Sequence, residues 1–349
     1  VKAGSQKAKR ILVVGTGDGA KRLSSLVISR SETQSTIVGH LDFAAMVQAK
    51  LSDVGEEDEG PRIAQSVGQA VSSALGADEV LIANPQLPTA VMFAICLPLL
   101  KRGIVIKAVS TAFSVVRHKL GADDLDGLPL VTFYPPRLHG WRLGAKRALD
   151  VAGAFVGGVV LSPVFLVAAV LVKLSSPGPV LFRQKRVGKN GREFTFYKFR
   201  SMVGGDDSKH REYLKEFMEN GREAAVDRRG RKVYKIVDDP RITPFGRFLR
   251  RTSLDEFPQL INVIKGDMSL VGPRPCLPYE WALYEDWQRE RLTVTPGLTG
   301  LWQVTGRSNV SFHEMVILDL FYIANWSFWR DLKLLFQTVP VIVLGRGAH

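Results

Sequence analysis

RRTSLDEFPQLINVIKGDMSLVGPRP, residues Arg250–Pro275, is the stretch around which the rest of the chain is organised. At its centre are two adjacent carboxylates, Asp255 and Glu256, with Arg247, Arg250 and Arg251 just upstream and a Pro273-Arg274-Pro275 turn downstream. Alone, Ser253-Leu254-Asp255-Glu256 fits the S-x-x-E capping box, in which Ser and Glu each satisfy a free backbone N–H at a helix start. Asp255 would then only complement the helix dipole. The arginines change that reading. A helix start flanked by guanidinium groups suits phosphate, and nearby positive charge keeps a carboxylate ionised. An ionised Asp beside a bound phosphate can attack it and form an acyl phosphate. Successive helical positions point about 100° apart, so the two acids have different jobs: one can attack while the other holds a divalent metal.

Upstream, Val180 to Val187 and Glu193 to Arg200 read as a hairpin around Gly188-Lys189-Asn190-Gly191. Its cations include Lys198 and Arg200, which fit a solvated face as well as a site. Ser208 to Asn220 reads as a polar helix and Gly221 to Lys232 as a charged loop. Asp238-Asp239-Pro240 fits a turn better than a metal site. Downstream, Thr295 to Arg307 is loop-rich, with Trp302 and Gln303 embedded in it. Asp267 and Arg274 are second-tier site residues, and either X-Pro bond of Pro273-Arg274-Pro275 can be cis. Phe321 to Trp329 packs five aromatics into nine residues, and Leu332 to Leu344 is apolar again. With Arg330 and Lys333 this reads as an interfacial helix, a core helix being the alternative.

VAGAFVGGVVLSPVFLVAAVLV, Val151 to Val172, is a run of 22 residues without a charge, long enough to span a bilayer. Two features favour a re-entrant helix, about residues 143–175, that dips into one leaflet. Ser162-Pro163 lies in the middle, where Pro removes a backbone hydrogen bond. Both flanks are basic: Arg142, Lys146 and Arg147 before, Lys173, Arg183, Lys185 and Arg186 after. Positive residues stay on the cytoplasmic side, so both ends belong on the same face.

In the first part of the chain, KRILVVGTGDGA (Lys9 to Ala20) reads as a buried strand, a glycine turn and a helix start. Gly15-x-Gly17-x-x-Ala20 satisfies the dinucleotide fingerprint, and a second strand ends in Asp42, where a ribose-binding acid would sit. The same glycines also serve simply to let helix and strand pack closely. Further strands at Glu79–Ala83, Ile104–Val109 and Leu128–Tyr134, with helices near Pro61–Ala74 and Pro88–Leu100, predict a small parallel α/β domain. Pro135-Pro136-Arg137 ends it. Two domains are expected, 1–138 Rossmann-like and 139–349 membrane-associated.

The 349 residues carry a formal charge of +13, which calls for an anionic partner. The excess is local: residues 1–140 hold 15 Lys and Arg against 13 Asp and Glu, residues 141–349 hold 32 against 21. No DNA- or RNA-binding module is recognisable, so anionic lipid and nucleotide phosphates are the expected partners and nucleic acid is not. The two cysteines, Cys96 and Cys276, lie far apart with no metal-ligand spacing, which suits a reducing compartment. No Ser-His or Cys-His arrangement points to carbonyl chemistry. The chain starts at Val1, so something is expected to precede it.

Together, TSLDEFPQLINVIKGDMSLVGPRP, RQKRVGKNGREFTFYKFRSM (Arg183–Met202) and VTPGLTGLWQVTGR (Val294–Arg307) resemble the bacterial sugar transferase family, the monotopic polyprenyl-phosphate phosphoglycosyl transferases. The resemblance covers roughly Trp141 to the C-terminus. It implies an α/β catalytic domain with a re-entrant membrane helix broken at Ser162-Pro163, preceded by a Rossmann-like domain of regulatory or oligomeric role. It implies Asp255 as nucleophile, Glu256 at a Mg²⁺ ion, Lys198 and Arg200 of the KFRSM motif near the site, and Arg307 at a phosphate, with Arg250 and Arg274 as further phosphate ligands. The reaction it implies is transfer of sugar-1-phosphate from a UDP-sugar, UDP-glucose or UDP-galactose first, to polyprenyl phosphate on the cytoplasmic face of the bacterial inner membrane, with release of UMP. Two other classes stand beside it: a nucleotide-sugar oxidoreductase built on the Gly15 fingerprint, and a basic scaffold on anionic membranes, a homo-oligomer being possible for any of them.

Overall fold

The computed structural model describes residues 9–15, 17–29, 35–41, 68–69, 71–72, 76–84, 87–109, 124–125, 128–135, 140–203, 225–226, 232–233, 241–305 and 310–343. The expectations for Asp42, Asp238-Asp239-Pro240, Arg307, the helix at Ser208–Asn220 and most of Pro61–Ala74 lie outside them. The chain divides into two compact units, Val1–Arg137 and Leu138–His349.

The first unit is α/β with a parallel-rich sheet. Strand β1 (Lys9–Val14) turns into helix α1 (Gly17–Ser29); then come β2 (Ser35–Leu41), β3 (Glu79–Ile82), α2 (Thr89–Lys101), β4 (Val105–Val109), β5 (Asp124–Leu125) and β6 (Leu128–Phe133). The sheet order is β2-β1-β3-β4-β6-β5. Ile11 to Val14 are all buried, as befits a central strand covered on both faces. The expected parallel sheet is corrected toward one edge, where β6 runs antiparallel to β4. Gly15, at φ +144°, leaves no room for a side chain: a Cβ would lie 2.8 Å from the Ala83 carbonyl oxygen. Its packing role is therefore visible in the contact between the ends of β1 and β3.

The second unit opens with α3 (Trp141–Ser175), a single helix of 35 residues. The helix does not break at Ser162-Pro163, and the reason is local. Pro163 has no N–H for the Val159 carbonyl four residues earlier, but the Ser162 hydroxyl donates to that same oxygen at 2.7 Å. Along α3, Lys146, Asp150, Ala154, Ala168 and Val172 are buried, a spacing that puts one narrow stripe against the protein. The rest is exposed and apolar: Phe155, Val159, Val160, Leu166, Val167 and Val170 all face outward. This is the one helix among the described residues long and apolar enough to cross a membrane.

The hairpin β7 (Leu181–Val187) and β8 (Glu193–Phe199) forms in the expected register, Phe182 opposite Lys198 and Arg186 opposite Phe194. Short β9 (Ala225–Val226) and β10 (Lys232–Val233) pair with each other. Next come α4 (Pro244–Thr252), a 3₁₀ helix (Leu254–Gln259), α5 (Leu260–Lys265), β11 (Ser269–Val271), α6 (Pro278–Leu283), α7 (Asp286–Arg289), β12 (Gly297–Thr299), α8 (Leu301–Thr305), α9 (Phe312–Ala324) and α10 (Phe328–Val343). Phe199 of β8 and Leu249 of α4 form a core with Ala168 and Val172 of α3. The interfacial reading of Phe321–Trp329 needs correction. Helix α9 is buried nearly all round, and Tyr322 and Trp326 point inward, so it is a core helix. The exposed aromatics of this C-terminal stretch, Phe328, Trp329 and Phe336, lie on α10.

Candidate active site

Asp255 sits in the 3₁₀ helix, not on an α-helical first turn. Helix α4 begins at Thr243, whose hydroxyl accepts from Gly246 N–H at 2.8 Å, and ends at Ser253 in the left-handed conformation, φ 56°. From there the chain tightens into Leu254–Gln259, and Ser253 makes no side-chain capping bond. The capping box is thus overturned: φ > 0 at Ser253 belongs to a helix end, and the Glu256 carboxylate reaches away to Arg274, Oε1 to Nη1 at 3.7 Å. In a 3₁₀ turn of about three residues, Asp255 and Glu256 diverge by about 120°. Asp255 is 8% exposed, while Glu256 opens to the surface.

Asn262 on α5 holds this helix against the hairpin. Fully buried, it donates to the Thr195 carbonyl at 2.7 Å and accepts from Tyr197 N–H at 3.2 Å, as a neighbouring strand would. Asp267 is drawn into the same joint, 3.4 Å from the Asn262 amide nitrogen. On the other side, Val187 N–H donates to the Cys276 carbonyl at 2.8 Å, which sets Arg186 beside the Arg274-Pro275 turn. No described peptide bond is cis, so both prolines of that turn follow trans bonds. Beneath it, Arg291 forms a buried ion pair with Asp319 at 2.6 Å and reaches the Arg274 carbonyl at 3.4 Å.

The electrostatics follow from burial. Loss of solvent, with Glu256 adding repulsion, pushes the Asp255 carboxyl up to about 6, against the pull of Lys198 and Arg250. The expectation that surrounding cations simply hold it ionised is corrected: desolvation outweighs them. Burial lowers Lys198 in turn, with Asp255 opposing that shift. Arg186 is also lowered by burial, and Arg274 pushes the same way. Lys198 extends over the Phe182 ring at 5.2 Å and Arg186 over Phe196 at 5.2 Å. The Arg250 guanidinium lies 3.3 Å from the Met202 sulfur.

Asp255, Glu256, Lys198, Arg250 and Arg274 therefore meet. Arg200 goes elsewhere: it donates to the Ser176 carbonyl at 2.6 Å and ties the end of α3 to β8. Ser162 and Pro163 stay exposed in mid-helix. A cavity beside Glu256 and Arg274 is also lined by Arg186, Gln259 and Gln303. The sequence reading placed none of these three in the site, Arg186 counting only as part of the basic flank of α3. A signal existed for Arg186, because the two-residue period of a strand and the register of the hairpin put it on the face that carries Lys198. Nothing in the spacing of Gln259 and Gln303 singles them out.

A buried carboxylate beside Lys198 and Arg250, with Arg186 and Arg274 at the neighbouring Glu256, defines a site for anionic groups next to a long exposed apolar helix. The family model for the bacterial sugar transferases matches residues 141–345; the chain belongs to this family. Among its relatives, the galactosyl transferase CpsE of Streptococcus agalactiae serotype III is 42% identical over 226 residues, 64% of this chain and 47% of that protein. The exopolysaccharide production protein ExoY of Rhizobium meliloti is 43% identical over 205 residues, 59% of this chain and 88% of ExoY. The UDP-glucose:undecaprenyl-phosphate glucose-1-phosphate transferase of Escherichia coli is 38% identical over 245 residues, 68% of this chain and 48% of that protein. The chain thus spans about half the length of CpsE and of the Escherichia coli transferase.

Proposed function

We propose that this protein transfers sugar-1-phosphate from a UDP-sugar to polyprenyl phosphate and releases UMP, with UDP-glucose and UDP-galactose the first donors to test. The observation that carries the reading is the position of Asp255: buried among Lys198, Arg250 and Arg274-paired Glu256, on a 3₁₀ helix whose Leu254 and Phe257 pack against apolar α3. One face of the site meets a water-soluble diphosphate and the other a lipid.

The reaction runs in two displacements. An Asp255 carboxylate oxygen attacks the phosphorus next to the sugar; the Asp–P bond forms and the bond to UMP breaks. An oxygen of the lipid phosphate then attacks the same phosphorus, and Asp255 leaves as carboxylate. At a pKa of about 6, Asp255 is largely ionised at neutral pH yet poorly solvated, which favours attack. Lys198, Arg250 and Arg274 offset the repulsion between anions and are preorganised for the charge that develops. Arg274 and Glu256 are 41% and 30% exposed and 3.7 Å apart, a loose pair that exchanges readily for a phosphate.

Glu256 is the residue that would hold Mg²⁺. Its carboxylate is 30% exposed and only loosely paired with Arg274, so it can reach an ion that takes one carboxylate and fills its shell with phosphate oxygens and water. When bound, it supplies neutralisation of the diphosphate.

For α3 we favour the re-entrant arrangement on the cytoplasmic face of the inner membrane, in contact with anionic lipid. Its support is that Asp150 at one end bonds Ser269 and Leu270, while Val172 at the other packs on Leu249, so both ends belong to one folded unit. Reporters at Gly140 and Val180 should both face the cytoplasm, and opposite faces would overturn it. The first unit is read as regulatory or oligomeric. The chemistry is tested with a UDP-sugar labelled in the sugar phosphate: labelled protein should accumulate without lipid acceptor and discharge when it is added. Normal turnover by Asp255→Asn sinks the covalent scheme.

A further inference from the structure

The cavity beside Glu256 holds polar atoms that the fold leaves without partners. Arg186 Nε, Gln259 Nε2 and Gln303 Oε1 are all sealed from solvent with no hydrogen bond, and all three residues line the same cavity. Buried polar atoms are nearly always paired in folded proteins, so three orphans converging on one cavity mark a place for a partner from outside the chain, water or ligand. Gln259 is only 2% exposed and shares the 3₁₀ helix with Asp255 and with Glu256, which lines the same cavity. The orientation of Gln303 is set by its own amide: Nε2 points to the Leu298 carbonyl at 3.5 Å, which leaves Oε1 for the cavity. Gly300 lets the chain pass close under Gly272 and Gln303, since a Cβ there would lie 2.4 Å from the Gly272 carbonyl oxygen and 3.1 Å from Gln303 Oε1.

The chemistry of the missing partner can be read from these atoms. Arg186 and Arg274 are cations on one wall, and Arg186 forms no ion pair among the described residues; its nearest acceptor is the Pro275 carbonyl at 3.4 Å. They suit a phosphate. Gln259 and Gln303 are uncharged, one offering a donor and the other an acceptor, so they suit a neutral group that both accepts and donates.

We propose that Gln259 and Gln303 form a specificity pocket that reads the uncharged, hydrogen-bonding group adjoining the donor's phosphate, with Arg186 as an additional phosphate ligand. The proposal rests on the transferase reading above. Two parts of a nucleotide sugar have this chemistry, the imide edge of the base and the hydroxyls of the hexose, and binding tells them apart.

The test uses the full chain in detergent, in an Asp255→Asn background so that nothing turns over. Binding of UMP, UDP-glucose, UDP-galactose and glucose 1-phosphate is measured by calorimetry for that protein and for the added changes Gln259→Met and Gln303→Met. Loss of one buried hydrogen bond to the ligand should weaken binding about tenfold. Weaker UMP and UDP-sugar binding assigns the base; weaker UDP-sugar and glucose 1-phosphate binding with UMP unchanged assigns the hexose. The unfolding temperature without ligand should hold or rise for Gln259→Met, which removes an unpaired buried group, and change little for Gln303→Met, which also gives up the long 3.5 Å bond to the Leu298 carbonyl. Unchanged affinity for all four ligands overturns the proposal. So does a fall in unfolding temperature for both variants, which would make the amides structural. Failure of the parent protein to bind any of the four would instead overturn the transferase reading itself.

Discussion

The ring of Phe165, on the apolar helix α3, lies 5.4 Å from the ring of Phe257, two residues after Asp255. Phe165 also meets Phe199 at 6.4 Å, so one half-buried side chain joins the apolar helix α3 to the hairpin and the 3₁₀ helix that carries Asp255. Phe165→Ala removes both contacts. Discounted for partial exposure, the cost should be about 1–2 kcal/mol, read by denaturant unfolding in detergent. Turnover should fall severalfold, whereas Phe155→Ala, on the exposed face, should leave unfolding unchanged. Equal effects of the two changes would mean that Phe165 supports nothing.

Asp255 gives a pH dependence with a definite sign. Its folded pKa is raised from 3.8 to about 6, so it stabilises the fold only while protonated: the contribution is present below about pH 4 and is lost as pH rises through about 6. Asp255→Asn should therefore stabilise the protein at pH 7.5 by on the order of 2 kcal/mol, the gain vanishing below pH 4. Activity runs the other way, because only the carboxylate attacks. The rate of covalent labelling in the native protein should climb from pH 5 and level off above pH 7. A flat profile across that range would remove Asp255 as the nucleophile.

Much of this was legible in the residues, where local pattern and tertiary need agree. The hairpin followed from its glycine turn, and the acid pair stood out by its arginine neighbours. Burial was not legible: nothing in Leu254-Asp255-Glu256 says that Asp255 is sealed in and that its ionisation is opposed by desolvation more than it is helped by Lys198. The aromatic run at Phe321–Trp329 misled because Tyr322 and Trp326 are amphipathic rings whose polar ends find a buried partner, Asp331, at 2.7 and 3.0 Å. Such rings look alike in sequence at an interface and in a core.

That partner supports a further prediction. Asp331 also takes the Lys146 ammonium at 2.6 Å, and Lys146 and Tyr322 both donate to the Val271 carbonyl, the residue before Gly272-Pro273-Arg274. The start of α3, the start of α10 and the turn bearing Arg274 are thus tied at one buried ionic centre. Asp331→Ala leaves the buried Lys146 ammonium only the more distant Asp150, at 3.9 Å, and should cost about 3 kcal/mol. Adding Lys146→Met should recover part of that loss, because the uncompensated charge goes with it. If the double change is simply the sum of the two single ones, Lys146 and Asp331 are not coupled.

The serine beside Pro163 offers a test of why α3 runs on unbroken. The Ser162 hydroxyl occupies the carbonyl of Val159 that Pro163 cannot serve, so each residue matters only in the presence of the other. Ser162→Ala alone leaves that carbonyl unpaired and, in a bilayer, should destabilise by about 1 kcal/mol or more. Pro163→Ala alone restores the backbone N–H and makes the hydroxyl redundant. In Ser162→Ala with Pro163→Ala, the cost of losing the hydroxyl should therefore disappear. A thermal unfolding cycle in lipid nanodiscs measures the coupling directly, and additivity would show that Ser162 does not compensate for the proline.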